Sequence, residues 1–478
     1  MTPSSNAHRA EFTVRCACGI EYHTSDAHIG RLLPCKCGRK VKVERPADTA
    51  RAETKRTIDP APKKSHKTVK RRRRSTYGAP TYEGDSIVGR VLHDAVVLVA
   101  STFRPLFGGS RKARTAAYLS WGYFAVVIVL WAAIRFLSEN ALLPSMIAYG
   151  PRWIALLPLL LLVPFVLMVS RRLLFPLAIG GLICVFPFMG GRIAPAALFR
   201  TSFPALPEPG TFRLLTFNVE GGVRLAAGLQ TFIRDEAPDV VAFQECAEAL
   251  WQALDSLPGW HAARHGTLCT GSRWPIGEID IMPRADFADE HKEGFGGSGL
   301  VMRTFIASPH GPIVLVNLHL ETARRGLQTI LGEEEHFGYD PTFARRQLAD
   351  KPQFAAASYG VRFERNAAIR RAESQRASIW SAAAKGTPLI IAGDFNLPVE
   401  STIFQDFWRQ YNDAFEERGN GFGWSKREGP WLNIRIDHVL TTDAGVRPLR
   451  IKTGHDYLSD HLPVVVDLAW PTAGGSSH

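Results

Sequence analysis

Three long apolar runs within residues 116–189 are the feature that most constrains the fold of this chain. They occupy residues 116–134, 153–169 and 173–189. Each is long enough, as a helix, to cross most of the hydrocarbon core of a bilayer. Trp121, Trp131 and Trp153 lie toward the ends of the runs, where tryptophans anchor helices at the interface. Because almost no polar face interrupts the runs, we predict three transmembrane helices rather than buried helices of a soluble domain.

The charge of the chain is divided unevenly around these runs. The formal net charge is +12 and the pI is about 9.5, values that alone would suggest nucleic acid or an anionic membrane as a partner. Residues 1–74 contain 19 basic and 7 acidic side chains, and residues 75–200 contain 11 and 4. Residues 201–478 contain 27 and 34. The chain therefore has a basic head, a basic apolar middle and an acidic tail.

The positions of the basic residues predict the orientation of the spans, because Lys and Arg resist translocation. The head, Arg111 and Lys112 precede the first run, and Arg171 and Arg172 separate the second from the third. The first 25 residues contain no apolar run typical of a signal peptide. We expect a cytoplasmic N-terminus and an extracytoplasmic tail. If the second and third runs formed a re-entrant hairpin, the orientation would depend on the first span alone.

Two Cys-x-Cys-Gly motifs mark a small segment at residues 10–45. Their cysteines are Cys16, Cys18, Cys35 and Cys37. Four thiolates in two close pairs can complete a tetrahedral Zn²⁺ site, and the glycine after each pair permits a tight turn. The familiar knuckle has two residues between its cysteines and this one has a single residue. We predict a zinc ribbon, with free thiols or a redox pair as the alternative and His23 or His28 as substitute ligands.

Residues 46–110 are predicted to form a disordered linker and a juxtamembrane segment. Lys, Arg, Pro, Thr and Ser dominate residues 46–81, which cannot bury enough apolar surface to fold. The run from Lys70 to Arg74 either contacts nucleic acid or anionic lipid, or stays solvated and only fixes the topology.

Residues 212–470, after a linker at 203–211, alternate short β-rich runs with amphipathic helical patterns. Strands are predicted at residues 212–219, 240–244, 299–306, 313–320, 389–393, 435–441 and 462–468. Helices are predicted at residues 225–236, 247–256, 323–331, 363–384 and 401–408. This alternation predicts one α/β domain, a layered β-sandwich flanked by helices.

Polar residues occur at the ends of these predicted strands or on them. They are Asn218, Glu245, His319, Asp394 with Asn396, Asp437 with His438, and Asp460 with His461. A single Asn or Asp after a strand is usually a turn former. Six such positions in one domain instead predict a site at one end of a sheet, where sites of layered α/β folds usually lie.

The order and wording of these motifs resemble the endonuclease/exonuclease/phosphatase superfamily. The resemblance covers residues 212–468 and includes Ser-Arg-Trp-Pro-Ile at 272–276. Asn-Leu-His-Leu-Glu-Thr at 317–322 and the three preceding spans are similar to a bacterial membrane-anchored branch. The resemblance implies hydrolysis of a phosphate ester with a divalent metal.

The residue types fit this chemistry, because a phosphoryl centre under attack needs a cation, an aligned water and fixed donors. We expect Glu245 to bind Mg²⁺ or Mn²⁺, with Asn218 as a neutral oxygen ligand or a positioning donor. Asp394 would orient and deprotonate the attacking water. Asn396 would hold that water or a phosphate oxygen.

The histidines are predicted to act on the phosphate. His461 would donate to it, and Asp437 would hold that imidazole and favour its charged form. His319 would be a second phosphate donor. Asp460 would be either a metal-side carboxylate or the orienting group of a neighbour. His438 is expected to be packed in its strand.

The substrate stays open between nucleic acid and a lipid head group. The acidic tail lacks the general basic charge of a nuclease, although arginines between residues 324 and 371 could form a local basic groove. The alternative function is a non-enzymatic membrane receptor or scaffold, which the presence of Glu245, Asp394 and His461 disfavours. Cys246 and Cys269 could form a disulfide outside the cell, but we expect two unpaired thiols, because Cys246 directly follows a predicted metal ligand.

Overall fold

A computed structural model of the chain describes residues 11–15, 21–25, 29–30, 32–34, 40–43, 87–194, 203–283, 300–324, 326–327, 352–384, 388–429, 431–443 and 445–470. The chain divides into two compact units, Met1–Gly84 and Asp85–His478. In the first unit, β1 (Glu11–Arg15) pairs with β2 (Glu21–Ser25), and β3 (Leu32–Pro34) pairs with β4 (Lys40–Lys42), both antiparallel. The predicted zinc ligands Cys16, Cys18, Cys35 and Cys37 lie outside the described residues, so the zinc ribbon stays a prediction.

The second unit begins with five helices that contain the apolar runs. They are α1 (Ile87–Phe107), α2 (Arg111–Leu137), α3 (Leu142–Tyr149), α4 (Leu157–Val169) and α5 (Leu174–Ile183). Short 3-10 turns at Arg152–Leu156 and Arg171–Leu173 precede α4 and α5, and a π turn at Cys184–Phe188 follows α5. Among the described residues, three helical segments are long and apolar enough to cross a membrane: Arg111–Leu137, Arg152–Val169 and Arg171–Phe188. They coincide with the three predicted runs.

Helix α1 occupies residues 87–107 of the range 46–110, which was predicted as a disordered linker and a juxtamembrane segment; residues 46–86 lie outside the described part of the chain. Its side toward α2 stacks Phe103 on Trp121, with ring centroids 4.1 Å apart. On its other side Val88, Val91 and Val96 are more than half exposed. These apolar positions recur at helical spacing, which is the pattern of an amphipathic helix. The composition that predicts a disordered linker belongs to residues 46–81, which precede this helix, so that prediction stays untested.

Residues 211–469 contain the strands and helices of the predicted α/β domain. The strands of the two large sheets are β6 (Thr211–Gly221), β7 (Val240–Cys246), β8 (His261–His265), β9 (Leu268–Ser272), β10 (Ile276–Ile281), β11 (Leu300–Ser308), β12 (Gly311–His319), β13 (Leu389–Asp394), β14 (Asn412–Asp413), β18 (Asp437–Thr441), β19 (Arg447–Thr453) and β20 (Val464–Ala469). The short strands are β5 (Arg192–Ile193), which pairs with β15 (Asn420–Gly421), and β16 (Lys426–Glu428), which pairs with β17 (Leu432–Ile434). The helices are α6 (Val223–Glu236), α7 (Glu248–Asp255), α8 (Pro352–Ala382), α9 (Thr402–Phe407) and α10 (Ala414–Arg418).

The twelve large-sheet strands form two mixed six-stranded sheets. One sheet has the order β19-β20-β6-β7-β9-β8 and the other β10-β11-β12-β13-β18-β14. Each has one parallel pair near its centre, β6 with β7 and β12 with β13. The predicted strands are all present, and the sheets form the predicted sandwich.

Alternation along the strands explains the layers, because successive side chains of a strand point to opposite faces. Leu214 of β6 packs between the sheets with Leu315 and Ile390 of the other sheet. The next residue, Leu215, faces α6 and α7. Helices α8 and α9 cover the outer face of the second sheet. The predicted helix at 363–384 is the last part of the longer α8. Of the helix predicted at 323–331, residues 324, 326 and 327 are described and are helical.

Cys246 and Cys269 form a disulfide, so the expectation of two unpaired thiols is wrong. Strands β7 and β9 are neighbours, with Phe243 opposite Cys269, and the two cysteine Cα atoms are 6.0 Å apart. Glu245 has a positive φ of 52°. The chain therefore turns at this residue, which leaves the Glu245 side chain 42% exposed while Cys246 is fully buried. A predicted metal ligand next to a cysteine does not exclude a disulfide when the backbone separates the two side chains.

Candidate active site

Five strands bring most of the predicted site residues to one end of the sandwich. The parallel pair β12 and β13 places His319 opposite Asp394, and the antiparallel pair β13 and β18 places Asp394 opposite Asp437. In the other sheet, the parallel pair β6 and β7 places Asn218 opposite the residue before Glu245. Because parallel strands end at the same edge of a sheet, the side chains at their carboxyl ends converge.

Asn218 lies between the two sheets and links their carboxylates. Its Nδ2 donates to Glu245 Oε1 at 2.9 Å and to Asp394 Oδ2 at 3.0 Å. Its Oδ1 accepts from the backbone N–H of Glu220 at 3.2 Å, and the residue is buried. These hydrogen bonds correspond to the positioning role, one of the two roles predicted for Asn218.

Asp394 is the buried carboxylate at the centre of the site. Its Oδ1 accepts from the backbone N–H of Asn396 at 2.8 Å. Burial raises the pKa of Asp394, and the nearby Asp437 raises it further, while the charges of His461 and His319 oppose the rise. A carboxylate with a raised pKa is a stronger proton acceptor, which is the property that a general base needs.

Asn396 follows Asp394 in a conformation that few residues adopt. Its φ is 52°, in the left-handed region, where Asn is better tolerated than most residues. Its Nδ2 donates to the backbone oxygen of Leu320 at 2.9 Å, just past the end of β12. The loop after β13 is thereby tied to the loop after β12. One hydrogen of the Asn396 amide is used in this tie.

His319 lies beside both acidic groups. Its Nε2 is 3.8 Å from Glu245 Oε1 and 3.7 Å from Asp394 Oδ2, distances too long for hydrogen bonds. Its buried Nδ1 has no hydrogen-bond partner within the described part of the chain. The imidazole therefore faces the same space as the two carboxylates.

His461 and Asp437 form a buried pair. His461 Nδ1 donates to Asp437 Oδ2 at 2.8 Å, and His461 Nε2 lies 3.6 Å from Asp394 Oδ2. Burial alone would lower the pKa of His461, but Asp437 and Asp394 outweigh it and raise the pKa to about 9. Burial of Asp437 favours its neutral form, but the positive charge of His461 outweighs this effect and holds the pKa of Asp437 below its usual range. His461 is therefore an imidazolium at neutral pH.

Lys426 is a member of this cluster that sequence reasoning missed. Strand β16 brings its Nζ to 2.5 Å from Asp460 Oδ2 and 3.1 Å from His461 Nε2. The nearby positive charge of Lys426 lowers the pKa of His461, but Asp437 and Asp394 outweigh this effect and keep the pKa raised. Asp460 is the ion-pair partner of Lys426, and its role as a metal-side carboxylate or an orienting group stays a prediction. The only signal in the sequence was a lysine close to a predicted strand. This signal was insufficient because Lys426 reaches His461 through a single antiparallel β-bridge, which depends on tertiary structure.

His438 is packed in the core, as expected. Its Nδ1 lies 2.8 Å from Asp413 Oδ2, and its Nε2 lies 2.8 Å from the backbone oxygen of Leu397. The side chain is completely buried. It supports the strand and does not face Asp394.

The arginines proposed to form a basic groove are partly committed to other groups. Arg370 is 3% exposed, Arg371 pairs with Asp406 at 2.7 Å, and Arg324 lies 3.6 Å from Glu428. Other arginines of the set fall on residues whose side chains are not described: Arg325, Arg345, Arg346 and Arg362. The described members therefore provide no free basic groove.

The donor set suits a divalent cation. Glu245 Oε1 and Asp394 Oδ2 converge on Asn218, and the buried Asp437 Oδ1 has no partner among the residues described. A second set of possible ligand atoms lies within 4.8 Å of one another, one atom each from Asp394, Asp437 and His461. This buried group could also hold a metal. Burial and then the nearby Asp437 raise the pKa of Asp394, and a cation beside these carboxylates would favour their charged forms. Carboxylate oxygens favour hard cations such as Mg²⁺ and Mn²⁺.

Comparisons with known proteins agree with the fold and the motifs. The sequence profile of the Endonuclease/Exonuclease/phosphatase family matches residues 215–461, more than half of the chain. No curated protein matches the chain significantly.

Solved structures of low sequence identity are similar to the tail of the chain. A 3'-5' exonuclease (NExo) from Neisseria meningitidis is 16% identical, covers 54% of this chain and 100% of its own, and has a TM-score of 0.36. An endonuclease/exonuclease/phosphatase family protein from Bacteroides thetaiotaomicron is 14% identical, with coverages of 57% and 99% and a TM-score of 0.37. An AP endonuclease from Archaeoglobus fulgidus is 13% identical, with coverages of 53% and 98% and a TM-score of 0.35. The match to the family profile, rather than these scores, identifies the family.

Proposed function

Because the chain belongs to the endonuclease/exonuclease/phosphatase family, whose enzymes hydrolyse phosphate esters with metal ions, we propose that it is a membrane-anchored phosphodiesterase. One observation carries the proposal: Asp394 Oδ2 lies 3.7 Å from His319 Nε2 and 3.6 Å from His461 Nε2. A buried base between two imidazoles is suited to a reaction in which water attacks a phosphate.

Asp394 is the group proposed to take the proton from the attacking water. Asn218 holds its Oδ2 and the backbone N–H of Asn396 holds its Oδ1, so its orientation is fixed before substrate binds. Asn396 has a second amide hydrogen, besides the one donated to Leu320, with which it would hold the water or a phosphate oxygen.

His461 and His319 are proposed to bind the phosphate. His461 carries positive charge at neutral pH because of Asp437 and Asp394, and Lys426 Nζ lies 3.1 Å from it. Negative charge that develops on the phosphate oxygens would be stabilised by these fixed donors without further rearrangement. His319, whose Nδ1 has no hydrogen-bond partner among the described residues, would donate through its Nε2.

Glu245 is proposed to hold the divalent metal, with Mg²⁺ or Mn²⁺ the cations that suit its oxygens. Its side chain is 42% exposed, so solvent and substrate reach it. Asn218 positions Glu245 through the 2.9 Å hydrogen bond. When bound, the metal would neutralise charge on the phosphate. The substrate class is proposed to be a phosphodiester, from nucleic acid or a lipid head group.

The catalytic domain is proposed to lie outside the cytoplasm. The end of α2, the start of the second span and the residues after the third contact this domain, as the bonds of Ser138, Arg152 and Arg192 show. Arg111 and Arg171 lie at the opposite ends of their spans. Basic residues favour the cytoplasmic side, so the catalytic domain falls on the other side. The disulfide supports this placement, since disulfides persist in oxidising compartments.

The test of the proposed activity uses the full chain in detergent or nanodiscs. Plasmid DNA, RNA, phospholipids and inositol phosphates would each be incubated with Mg²⁺ or Mn²⁺ and the chain. We expect hydrolysis of at least one ester, and we expect EDTA to abolish it. The rate of hydrolysis by Asp394→Asn should be lower than the wild-type rate by a factor of about a thousand or more.

The matched control is Asp255→Asn, which changes an exposed aspartate at the C-terminal end of α7. It should keep the wild-type rate. Equal rates for the wild-type protein and Asp394→Asn on every ester would contradict the proposal, as would an absence of hydrolysis throughout.

A further inference from the structure

The segment between the first two candidate spans contacts the catalytic domain closely. This segment, residues 138–149, is called the junction below. Thr402 Oγ1, at the start of α9, lies 2.5 Å from the backbone oxygen of Ser138 and 3.0 Å from Glu139 Oε2. The backbone N–H of Thr402 donates to Ser138 Oγ at 3.0 Å. The junction is therefore fixed at a defined position on the catalytic domain.

Two side chains of the junction form a buried polar group with an arginine of α8. Tyr149 Oη donates to Glu139 Oε1 at 2.8 Å, and Arg370 Nη2 donates to Tyr149 Oη. Arg370 Nη2 also lies 3.8 Å from Glu139 Oε1. Glu139 and Arg370 are 4% and 3% exposed. A buried guanidinium needs carboxylate and hydrogen-bond partners, and the junction supplies both kinds.

This buried group ends on the active-site loop. Arg370 Nη2 donates to the backbone oxygen of Asn396 at 3.0 Å, and Tyr149 Oη lies 3.3 Å from the same oxygen. Arg370 Nε donates to the backbone oxygen of Glu321 at 3.3 Å, in the loop that also accepts from the Asn396 side chain. The loops that follow His319 and Asp394 are thus held by one arginine.

The conformation of Asn396 explains why such support matters. Its φ of 52° is costly for a residue other than glycine, and its backbone N–H must stay in place to hold Asp394 Oδ1 at 2.8 Å. A residue in a sparsely populated conformation persists only when its surroundings fix it. The contacts of Arg370 and Tyr149 with the Asn396 carbonyl provide that fixation.

We propose that Glu139 and Tyr149 of the membrane-domain junction, acting through Arg370, are positioning residues of the active site that hold Asn396 and hence Asp394 in their reactive geometry. The three spans are then more than an anchor, because the junction between the first two completes the site. A catalytic domain separated from the junction would lose the two side chains, Glu139 and Tyr149, that the junction places against Arg370. The kinetic part of this inference rests on the proposed hydrolysis.

The test compares Tyr149→Phe with Tyr118→Phe in the full chain in nanodiscs. Tyr149→Phe removes only the hydroxyl that links Glu139, Arg370 and the Asn396 carbonyl. Tyr118 is on α2 and is 60% exposed, so its variant controls for a hydroxyl lost from the membrane domain. We expect Tyr149→Phe to lower kcat about tenfold with KM within about twofold, because positioning acts on the reacting groups and not on binding. The unfolding temperature should fall by a few degrees, because buried atoms of Glu139 and Arg370 each lose a hydrogen-bond partner.

A second variant separates charge from hydrogen bonding. Glu139→Gln keeps an oxygen that accepts from Tyr149 but removes the charge that faces Arg370, so a loss of kcat is expected here as well. Because Glu139 and Tyr149 act through the same arginine, the double variant should lose less than the product of the two single losses. Losses that multiply would overturn the shared route.

Hydrogen exchange keeps the inference testable without a substrate. In Tyr149→Phe, a peptide containing residues 394–399 should exchange faster than in Tyr118→Phe, whether or not any ester is hydrolysed. If the wild-type chain hydrolyses no ester, the proposed function fails while this measurement still decides the positioning role. Wild-type exchange in Tyr149→Phe would overturn the inference. So would a change in KM alone, which would indicate contact with substrate.

Discussion

His461 combines burial with a positive charge, a combination that costs free energy unless fixed carboxylates compensate for it. Asp437 lies 2.8 Å from its Nδ1, and Asp394 lies 3.6 Å from its Nε2. Together they raise the pKa of His461 to about 9 despite burial. Groups with pKa values perturbed by specific charge partners are concentrated at functional sites. The imidazolium is therefore best explained as a donor for an anionic group.

Replacing this imidazole should reduce turnover more than stability. For His461→Ala we expect kcat to fall by a factor of about 10² to 10⁴, the range for loss of a positioned proton donor. The measurement is initial rate against substrate concentration for the full chain, with thermal unfolding in parallel. His455→Ala, at an exposed position in the same segment, is the control and should keep the wild-type kcat. A kcat for His461→Ala within about twofold of wild type would contradict the proposed role.

Asp413 is a buried carboxylate whose effect should appear in the pH dependence of stability. Burial favours its neutral form, but Arg435 and His438 overcome this effect and hold the pKa of Asp413 far below its usual range. The carboxylate also accepts from the backbone N–H groups of Phe415 and Glu416 at the start of α10. Because the folded pKa is depressed, the stabilisation is present above the unfolded value of about 3.9 and is lost as pH falls through the folded pKa.

Asp413→Asn should therefore destabilise the catalytic domain at pH 7 by about 3 kcal/mol, the cost of leaving Arg435 without its buried partner. The difference in unfolding temperature between wild type and variant should shrink as the pH is lowered below about 4. Thermal unfolding across a pH series measures it. Asp235→Asn, at an exposed helix position, serves as the control. If the difference in unfolding temperature between wild type and Asp413→Asn stayed constant down to about pH 2, this account of Asp413 would be wrong.

Sequence reasoning identified residues at strand ends and missed those that reach the site from elsewhere. Asn218, Asp394 and Asp437 could be found because strands of the two sheets carry their ends to the same end of the sandwich. Lys426 enters from a short hairpin, and Arg370 from a long helix. No local pattern connects them with the strand ends. Their positions depend on how separate elements pack, which periodicity does not encode.

Among the elements, the apolar central strands were predictable and several polar ones were not. Strand β13 reads Leu-Ile-Ile-Ala-Gly-Asp and is completely buried, so its composition indicates a strand. Strand β10 has Glu278 and exposed neighbours, and β8 contains two histidines and an arginine. Such edge strands are selected by pairing with a neighbour rather than by their own hydrophobicity. The helix α1 was missed for a related reason, since its apolar side is exposed within the described part of the chain.

Close approach of β12 and β13 depends on Gly393. Its φ is 147°, and a Cβ at this position would lie 2.0 Å from the backbone oxygen of Leu318. Gly393→Ala should lower the free energy of unfolding by about 3 kcal/mol, because β12 must move in addition to the strain at positive φ. The same movement would separate His319 from Asp394, so activity should fall as well. Both effects are measured by thermal unfolding and initial rates.

The control for this glycine is Gly277→Ala in β10, where the nearest atom to a new Cβ is 3.7 Å away, an ordinary contact. Its unfolding temperature should stay within about 3 °C of wild type. Equal unfolding temperatures for Gly393→Ala and the wild-type protein would show that β12 and β13 tolerate a wider separation, against the expectation.

For the whole molecule, the sequence predicted three spans but not how they meet the catalytic domain. Hydropathy and length identify the spans without reference to tertiary structure. The contacts of Arg152 with Glu400, of Arg192 with Glu416 and of Trp153 with the backbone of Trp431 join the two parts at one end of the spans. The disulfide was also missed, because it depends on the backbone turn at Glu245.

The orientation of the chain leads to a prediction about which cysteines a membrane-impermeant maleimide reaches. In spheroplasts, Asp255→Cys, at an exposed position of the catalytic domain, should be labelled before lysis, whereas Lys112→Cys, at the start of the first span, should be labelled only after lysis. The wild-type chain is the control for the native cysteines. Under denaturing, non-reducing conditions, Cys246 and Cys269 should stay unlabelled until a reductant is added. In the variant with both cysteines replaced by serine, the reductant should not increase the labelling. Labelling of Lys112→Cys before lysis, together with protection of Asp255→Cys, would reverse the topology and place the hydrolase domain in the cytoplasm.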